Sequence, residues 1–266
     1  MQFSLPYYRD AGQLPGPLPD QNEIEQATRN LMKSDYSGRL VVIRDKYVVK
    51  YGPLISENEG YALLFVEEQL SIAAPRLYAM YRDGDALYIV MEYIPGISLG
   101  MAWSSLTEAN KHSIDFTAVS TEDPFPIDPS VTGPFQTEED FGKAIALRSK
   151  IIWSKSISRS FHSDYLARYL PSALRNHPPM FTHGDLYREN VLVKKVVDSV
   201  TNEEEYEVAA LVDWETAGWY PSYWEYGHIF PLLRWIDDWP EYVEKILDPF
   251  PLEGAMMQVV FTNMEF

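Results

Sequence analysis

Cysteine is missing from this sequence, and its absence excludes several kinds of site. None of the 266 residues is a cysteine, so the chain has no disulfide framework, no thiolate metal site and no cysteine nucleophile. Apolar runs are also short, well under the roughly 20 residues that a membrane span requires. No charged region followed by an apolar core opens the chain, and we therefore expect a cytoplasmic protein rather than a secreted one.

Basic residues are few relative to acidic ones. The sequence holds 22 lysines and arginines against 39 aspartates and glutamates, which gives a formal net charge of -17. Such a surface repels nucleic-acid phosphates and anionic lipids, so we expect neither nucleic acid nor a membrane as a partner. Two interpretations of the charge remain open. The acidity keeps the protein soluble, or an acidic cleft attracts a cationic small molecule.

The chain does contain a central stretch with a pattern typical of catalysis, Phe181–Val193. Apolar and polar residues alternate on both sides of its middle, which predicts a strand, a tight loop that carries Asp185 and Asn190, and a second strand. Further on, the apolar run that begins Leu211–Glu215 delivers Asp213 where a buried strand would end. A magnesium-dependent phosphoryl transferase needs one carboxylate to accept the hydroxyl proton, and an amide and a second carboxylate to hold the metal.

These motifs carry a resemblance to a known family. The motif His183-Gly-Asp-x4-Asn190, followed by Val212-Asp-Trp-Glu215, resembles the catalytic signature of the aminoglycoside phosphotransferase and choline kinase family. The residues around these motifs look most like those of fungal members of unassigned substrate. The resemblance runs from about Val41 to Tyr226. It implies an α+β, bilobal protein-kinase-like fold. Residues 1–94 would form an N-terminal arm and a small antiparallel-sheet lobe that binds nucleotide, and residues 95–266 a larger, mainly helical lobe for catalysis and substrate.

Segments upstream of the motifs fit nucleotide binding. Two β-branched runs joined by a polar turn predict a β-hairpin over Arg39–Tyr51. The hairpin alone favours a solvated Lys50 at a strand end, whereas the resemblance makes this lysine a contact for the nucleotide phosphates. The resemblance also pairs it with Glu59 of the next helix. Two alternatives stay open, since Ser56 and Glu59 have the spacing of a capping box and Glu67 is a rival partner for the lysine.

A strand that ends in Pro-Gly, Leu87–Gly96, is similar to the hinge of kinase-like folds. In that resemblance Met91 stands at the gatekeeper position, and the Glu92 carbonyl and the Ile94 amide bond the adenine edge. A plain edge strand would have much the same sequence. The loop before the first strand, Asp35–Arg39, departs from the family pattern because it has one glycine and no Gly-x-Gly-x-x-Gly.

The resemblance therefore implies a phosphotransferase that moves the γ-phosphate of ATP, or of GTP, to a hydroxyl of a small molecule. From the net charge we expect this acceptor to be a cation. It implies that Asp185 is catalytic and that Asn190 and Asp213 hold Mg²⁺. His183 is interpreted as structural, because a loose phosphoryl-transfer transition state needs positioning more than a strong base. Glu225 resembles a buried acid that bonds the catalytic-loop backbone, with a helix cap as the alternative.

Two other functions remain open at this point. The glycine-poor loop motivates a nucleotide-binding pseudokinase or scaffold of the same fold. A protein kinase is disfavoured, because Tyr187 stands where protein kinases usually have a lysine and because Val212-Asp-Trp-Glu215 stands where they have Asp-Phe-Gly after the catalytic loop. The sequence does not indicate an oligomeric state.

Local patterns give further expectations. Residues 1–20 are rich in proline and glycine and are predicted to be an extended arm. A helix is predicted from Glu23 to about Lys33, capped by Asp20 or Asn22. Acidic residues cluster near a Pro- and Asp-rich loop at 121–135, where a cationic acceptor would be attracted. They are Glu122, Asp123, Asp128, Glu138, Glu139 and Asp140.

Overall fold

The computed structural model describes residues 4–31, 38–113, 135–153, 160–197, 204–233 and 237–264. Most of the glycine-poor loop and nearly all of the 121–135 loop, with Glu122, Asp123 and Asp128, lie outside these ranges.

The elements are labelled in chain order. The strands are β1 (Tyr7–Tyr8), β2 (Arg39–Ile43), β3 (Tyr47–Gly52), β4 (Leu77–Asp83), β5 (Ala86–Glu92), β6 (Ile97–Ser98), β7 (Pro179–Thr182), β8 (Val191–Val197), β9 (Glu204–Leu211) and β10 (Gly218–Pro221). The α-helices are α1 (Gln21–Gln26), α2 (Asn58–Gln69), α3 (Leu99–Ala102), α4 (Glu108–Ser113), α5 (Glu138–Ile152), α6 (Ser160–Ala173), α7 (Trp224–Ile229), α8 (Trp239–Ile246) and α9 (Pro251–Met264).

The chain forms two compact units. One comprises residues 1–115 and 187–217, and the other comprises residues 116–186 and 218–266. The predicted lobe boundary after residue 94 stays a prediction.

A five-stranded sheet in the order β1-β4-β5-β3-β2 is the centre of the first unit, and all its pairings are antiparallel. The predicted hairpin is present in it as β2 and β3, and β4 and β5 form a second hairpin. Arg44 and Asp45 adopt positive φ angles of 55° and 50° in the β2–β3 loop, and Gly84, at 57°, begins the two-residue β4–β5 turn. Tight hairpin turns require such left-handed residues. The antiparallel sheet together with the helices confirms the predicted α+β class.

The N-terminal segment is more ordered than the predicted arm. Its strand β1 pairs with β4, and Asp20 caps α1 through a capping box with Glu23. The helix prediction is wrong beyond Gln26, where α1 ends. From there the backbone runs beside β2 instead, since Leu31 N–H donates to Leu40 O at 2.7 Å. Pairing with a sheet edge has therefore replaced the last helical turns.

The proline-rich part of this segment is held by side chains of the β2–β3 hairpin. Arg44, Lys46 and Tyr47 donate hydrogen bonds to the carbonyls of residues 17, 15 and 16, at 3.0, 2.9 and 2.6 Å respectively. Proline lacks an N–H but keeps its carbonyl, so a proline-rich stretch can be bound through its acceptors alone. The segment is thereby fixed against the sheet.

The first unit also holds a second, three-stranded sheet in the order β6-β8-β9. The strand predicted after Asn190 corresponds to β8, which pairs with β9. Helix α2 packs against β4 and against the 3₁₀ turn Trp214–Thr216, which follows β9. These contacts bring residues that are distant in sequence together around α2.

The second unit is mainly helical, with one pair of strands, β7 and β10, among its described residues. Leu166, Leu170 and Leu174 recur every four residues and are buried against Tyr223 and Met257, as expected of the apolar face of a helix. Strand β7 leads directly into the loop that begins at residue 183. None of the helices in the described ranges combines the length and the apolar composition needed to cross a membrane.

Two helical glycines give contrasting predictions for stability. A Cβ on Gly60 of α2 would lie 2.4 Å from Sδ of Met80, a fully buried side chain, whereas a Cβ on Gly142 of α5 would meet Pro171 no closer than 3.5 Å. We expect Gly60→Ala to lower the free energy of unfolding by about 1–3 kcal/mol through overpacking. Gly142→Ala should raise it by about 0.5–1 kcal/mol, because alanine favours helix over glycine. Urea unfolding measures both, and equal effects would contradict the packing described for α2.

Candidate active site

Lys50 is the centre of the candidate site in the first unit. Its Nζ donates to Asp213 Oδ1 and to Glu215 Oε2, both at 2.8 Å, and lies 2.9 Å from Glu59 Oε2. The lysine side chain is only 8% exposed. Burial lowers the pKa of Lys50, but the three carboxylates outweigh that effect and raise it well above its ordinary value. The lysine is therefore a buried, permanently charged cation.

The partners of the lysine settle two alternatives. Ser56 Oγ accepts a hydrogen bond from the N–H of Asn58 and makes no capping box with Glu59, whose carboxylate is buried and faces Lys50. The rival Glu67 is instead bound by Arg9, in a pair that includes an Nη1–Oε1 distance of 2.9 Å. The capping-box reading and the Glu67 reading are both wrong.

Asp213 reaches the lysine from an unusual backbone conformation. Its φ and ψ are 66° and 59°, in the left-handed region that few residues other than glycine adopt. Trp214, the next residue, is buried and donates its indole N–H to Leu211 O at 2.9 Å. The acids on either side of this tryptophan both reach Lys50. Strained residues of this kind concentrate at functional sites.

Glu215 is a site residue that the sequence reasoning missed. A signal was available, because the motif Asp-Trp-Glu places it two residues after Asp213, but nothing local showed that both acids turn to one lysine. Carboxylate oxygens of Glu59, Asp213 and Glu215 lie within 4.8 Å of one another. Because these three carboxyl groups face a single ammonium group, that of Lys50, the cluster can bind a further cation.

The donor set fits a hard divalent cation such as Mg²⁺, which prefers oxygen ligands. Although Glu59 Oε2 lies close to Lys50 Nζ, the contact lacks hydrogen-bond geometry, so this buried oxygen has no hydrogen-bond partner among the described residues. Burial raises the pKa of Glu59 to about 7 in spite of Lys50. Asn190 lies alongside, since its carbonyl accepts from Val212 N–H at 2.9 Å, one residue before Asp213.

The predicted hinge residues end the central strand of the sheet. Met91 is buried in β5 opposite Val48 of β3, and Glu92 N–H donates to Arg76 O at 2.9 Å. In the part of the chain that the structure describes, the Ile94 N–H donates no hydrogen bond. This N–H is therefore available to donate a hydrogen bond to an acceptor atom of a ligand. The adenine-binding roles of all three residues stay predictions.

Asp185 belongs to the second unit, in the loop after β7. Its N–H donates to Nδ1 of buried His183 at 3.3 Å, which agrees with a structural part for the histidine. Glu225 holds the same loop, because its two oxygens accept from Gly184 N–H at 2.9 Å and from Leu186 N–H at 3.1 Å. Glu225 lies within α7 and does not cap it, so the helix-cap alternative is wrong.

Glu225 is buried, and its environment affects its ionisation in opposite directions. Burial raises its pKa to about 7, while hydrogen bonds from the backbone of the loop at residues 183, 184 and 186 favour the charged form. A carboxyl group with a raised pKa in the folded state binds more protons there than in the unfolded chain. Ionisation of Glu225 therefore lowers the free energy of unfolding as the pH rises.

The comparison with known families gives one match. Residues 136–249 match the model of a family described as Phosphotransferase enzyme family. The matched segment includes Asp185, Asn190, Asp213 and Glu225, but not the lysine hairpin or the hinge. No curated protein gives a significant match to the chain.

The raised pKa of Glu225 predicts a measurable pH dependence. Between about pH 4.5 and pH 7 the folded state holds the extra proton, so the free energy of unfolding should fall as the pH rises through this window. Glu59 contributes in the same direction. We expect Glu225→Gln to fall less steeply than the wild type, because one of the two groups is gone. Urea unfolding at pH 5 and pH 7.5 measures the slope.

The matched control is Glu241→Gln, which changes an exposed carboxyl group in the first turn of α8. It should keep the slope of the wild type. A Glu225→Gln slope as steep as that of the wild type would show that the buried carboxyl group does not cause the pH dependence.

Proposed function

We propose that this protein is a kinase that transfers the γ-phosphate of ATP to a hydroxyl group of a small molecule, a proposal supported by the match of residues 136–249 to the phosphotransferase enzyme family. The observation that carries the proposal is the buried Lys50 with carboxylates of three residues within 2.8–2.9 Å of its Nζ. A cation held beside a cluster of acids provides charge for phosphate oxygens and ligands for a metal. No observation favours GTP over ATP.

The nucleotide would be bound by the first unit. Lys50 would neutralise charge on the phosphates, and Glu59 would hold its ammonium group in place from α2. Met91, Glu92 and Ile94 would bind the adenine, an assignment supported by the burial of Met91 and by the Ile94 N–H described above. These residues need no chemistry of their own, since phosphoryl transfer depends chiefly on positioning and on charge stabilisation.

A divalent cation fits the acidic cluster of the same unit. Asp213 and Asn190 would hold Mg²⁺, with Glu215 as a further oxygen ligand. When bound, the ion would neutralise charge that develops on the phosphate oxygens. The chain's own contribution is to hold these oxygen ligands close together on either side of Trp214, which fixes the turn between Asp213 and Glu215 by its burial.

Asp185 would accept the proton of the attacking hydroxyl group, or orient that group. The loop that carries it is fixed through its backbone by Glu225 and by His183. A rigid loop suits this part, because a positioned carboxylate acts only within hydrogen-bond distance of the proton that it takes. His183 is buried and its Nδ1 accepts a backbone hydrogen bond, which supports the structural part over a general base.

The acceptor is proposed to be a cation that carries a hydroxyl group. The net charge of -17 supports this, since an acidic protein raises the local concentration of cations. The acidic residues near the 121–135 loop support it less, because those that the structure describes already have partners. Glu138 contacts His177, Glu139 contacts Lys143, and Asp140 accepts from Thr137.

An acceptor screen tests the proposal. ATP consumption is measured with purified protein and Mg²⁺ across amino alcohols, aminoglycosides and neutral sugars, and phosphorylated products are identified by mass spectrometry. Turnover of at least one acceptor is expected. Nucleotide binding without turnover would identify the pseudokinase instead, and a phosphorylated protein substrate would identify the protein kinase.

Replacing the proposed catalytic carboxylate should separate binding from turnover. We expect Asp185→Asn to lower kcat by about 10²-fold or more, the usual scale of a positioned proton acceptor, with ATP affinity nearly unchanged. Steady-state kinetics and nucleotide titration measure the two. Glu189→Gln is the control, because it changes an exposed carboxylate of the same segment and should keep turnover. Full activity of Asp185→Asn would remove this residue from the mechanism.

The charge of the acceptor predicts a salt dependence. The KM for a cationic acceptor should rise between 50 and 300 mM salt, because the Debye length shortens to about 8 Å at physiological ionic strength. A charge-neutral analogue of the same acceptor should have a higher KM and little salt dependence. Equal kinetics for the amine and the neutral compound would mean that the acidity serves only solubility.

A further inference from the structure

Asn58 is the first residue of α2, and its side chain joins the helix to the segment that follows Asp213. The Nδ2 atom donates to Glu215 O and to Ala217 O, at 2.8 Å each. One amide nitrogen thus uses both its hydrogens on carbonyls that lie two residues apart. This contact is distinct from the carboxylates around Lys50, because it binds the backbone of the segment and not its side chains.

The contact completes a closed loop of interactions. Asn58 is followed by Glu59, whose carboxylate meets Lys50, while the segment held by Asn58 carries Asp213 and Glu215, which meet the same lysine. The start of α2 is therefore connected to the segment in two ways, once through Lys50 and once directly. Only the direct connection is independent of the charges in the cluster.

The segment needs such a support because of its backbone. Asp213 has a left-handed conformation that is strained in a residue other than glycine and persists only where the surroundings fix it. The turn after it is closed by the Ala217 N–H, which donates to Trp214 O at 3.1 Å. Asn58 bonds the carbonyls of Glu215, inside this turn, and of Ala217, at its end. It thereby fixes both residues.

Few other side chains could make this contact. It requires two N–H donors on one short side chain, which asparagine has and which aspartate, serine and alanine lack. A carboxylate at this position would face two carbonyl oxygens and stand next to Glu59. The helix itself does not require asparagine, since acidic residues are favourable in a first helical turn.

We propose that Asn58 is a positioning residue that holds the segment 213–217 so that Asp213 and Glu215 meet at Lys50 and bind a divalent cation together. The cation-binding part rests on the proposed function. The support of the segment does not, because it follows from the hydrogen bonds of Asn58 alone.

Asn58→Asp tests this, because it keeps the size of the side chain, removes both donors and favours the helix start. Hydrogen exchange followed by mass spectrometry measures the peptide over 211–217, and isothermal titration with MgCl2 measures the cation. We expect faster exchange in this peptide and Mg²⁺ affinity about 10–100-fold weaker, the usual effect of removing a group that orients metal ligands. Asn58→Ala should do the same, and it keeps the test usable if the aspartate variant does not fold.

The matched control is Glu57→Gln at the same end of α2. Glu57 pairs with Arg82 at 2.8 Å and accepts from Tyr61 OH at 3.1 Å, so the variant weakens this end of the helix without changing the bonds to the segment. It should keep the exchange rate of the 211–217 peptide and the Mg²⁺ affinity. Equal effects of Glu57→Gln and Asn58→Asp would overturn the proposal, since both would then act through the helix.

The outcomes separate this proposal from the proposed function. Unchanged exchange in both Asn58 variants overturns it, whatever happens to Mg²⁺. Faster exchange with unchanged Mg²⁺ affinity overturns it as well, because the segment would then not position the ligands. If the wild type binds no Mg²⁺ but exchange is faster in the Asn58 variants, Asn58 does hold the segment 213–217, and the metal site of the proposed function is overturned.

Discussion

The ammonium group of Lys50 is the charge on which the candidate site depends. A buried charge is tolerated only where opposite charges and hydrogen bonds replace the water that it has lost. Here the replacement comes from α2, which is the next element after β3 in the sequence, and from the segment after β9, which is more than 160 residues further on. The position of the lysine thus constrains three separate parts of the chain. Removing Lys50 would leave Glu59 buried without its cation, and removing a carboxylate would leave the buried lysine with less opposite charge, so the cluster acts as a unit.

The structure contains two buried carboxylic acids that are stabilised in different ways. Glu59 faces a cation, whereas Glu225 is surrounded by the N–H dipoles of a loop. An ion pair fixes one point on a partner, while several N–H donors fix the path of a backbone. Each solution suits its place: the first controls the charge beside the acidic cluster, and the second controls the shape of the loop that carries Asp185.

The parts that could be predicted from the sequence are those with local causes. Hairpins follow from β-branched runs and from turns such as that at Gly84, and the position of Lys50 follows from its hairpin and from the motifs downstream. The helix end at Gln26 could not be predicted, because sheet pairing competes there with helical spacing. Glu215 and Asn58 were missed for a related reason. Their importance lies in contacts across more than 150 residues of sequence, which no local pattern records.

The N-terminal segment, for which the sequence predicts an extended arm over residues 1–20 and then a helix, protects the edges of the sheet. Its strand β1 covers the outer edge of β4, and residues 29–31 pair with the opposite edge at β2. Unpaired sheet edges are templates for strand addition from other molecules. Residues 7–31 therefore cover both edges of the four strands β4-β5-β3-β2, and a protein shortened at this end would expose two aggregation-prone edges at once.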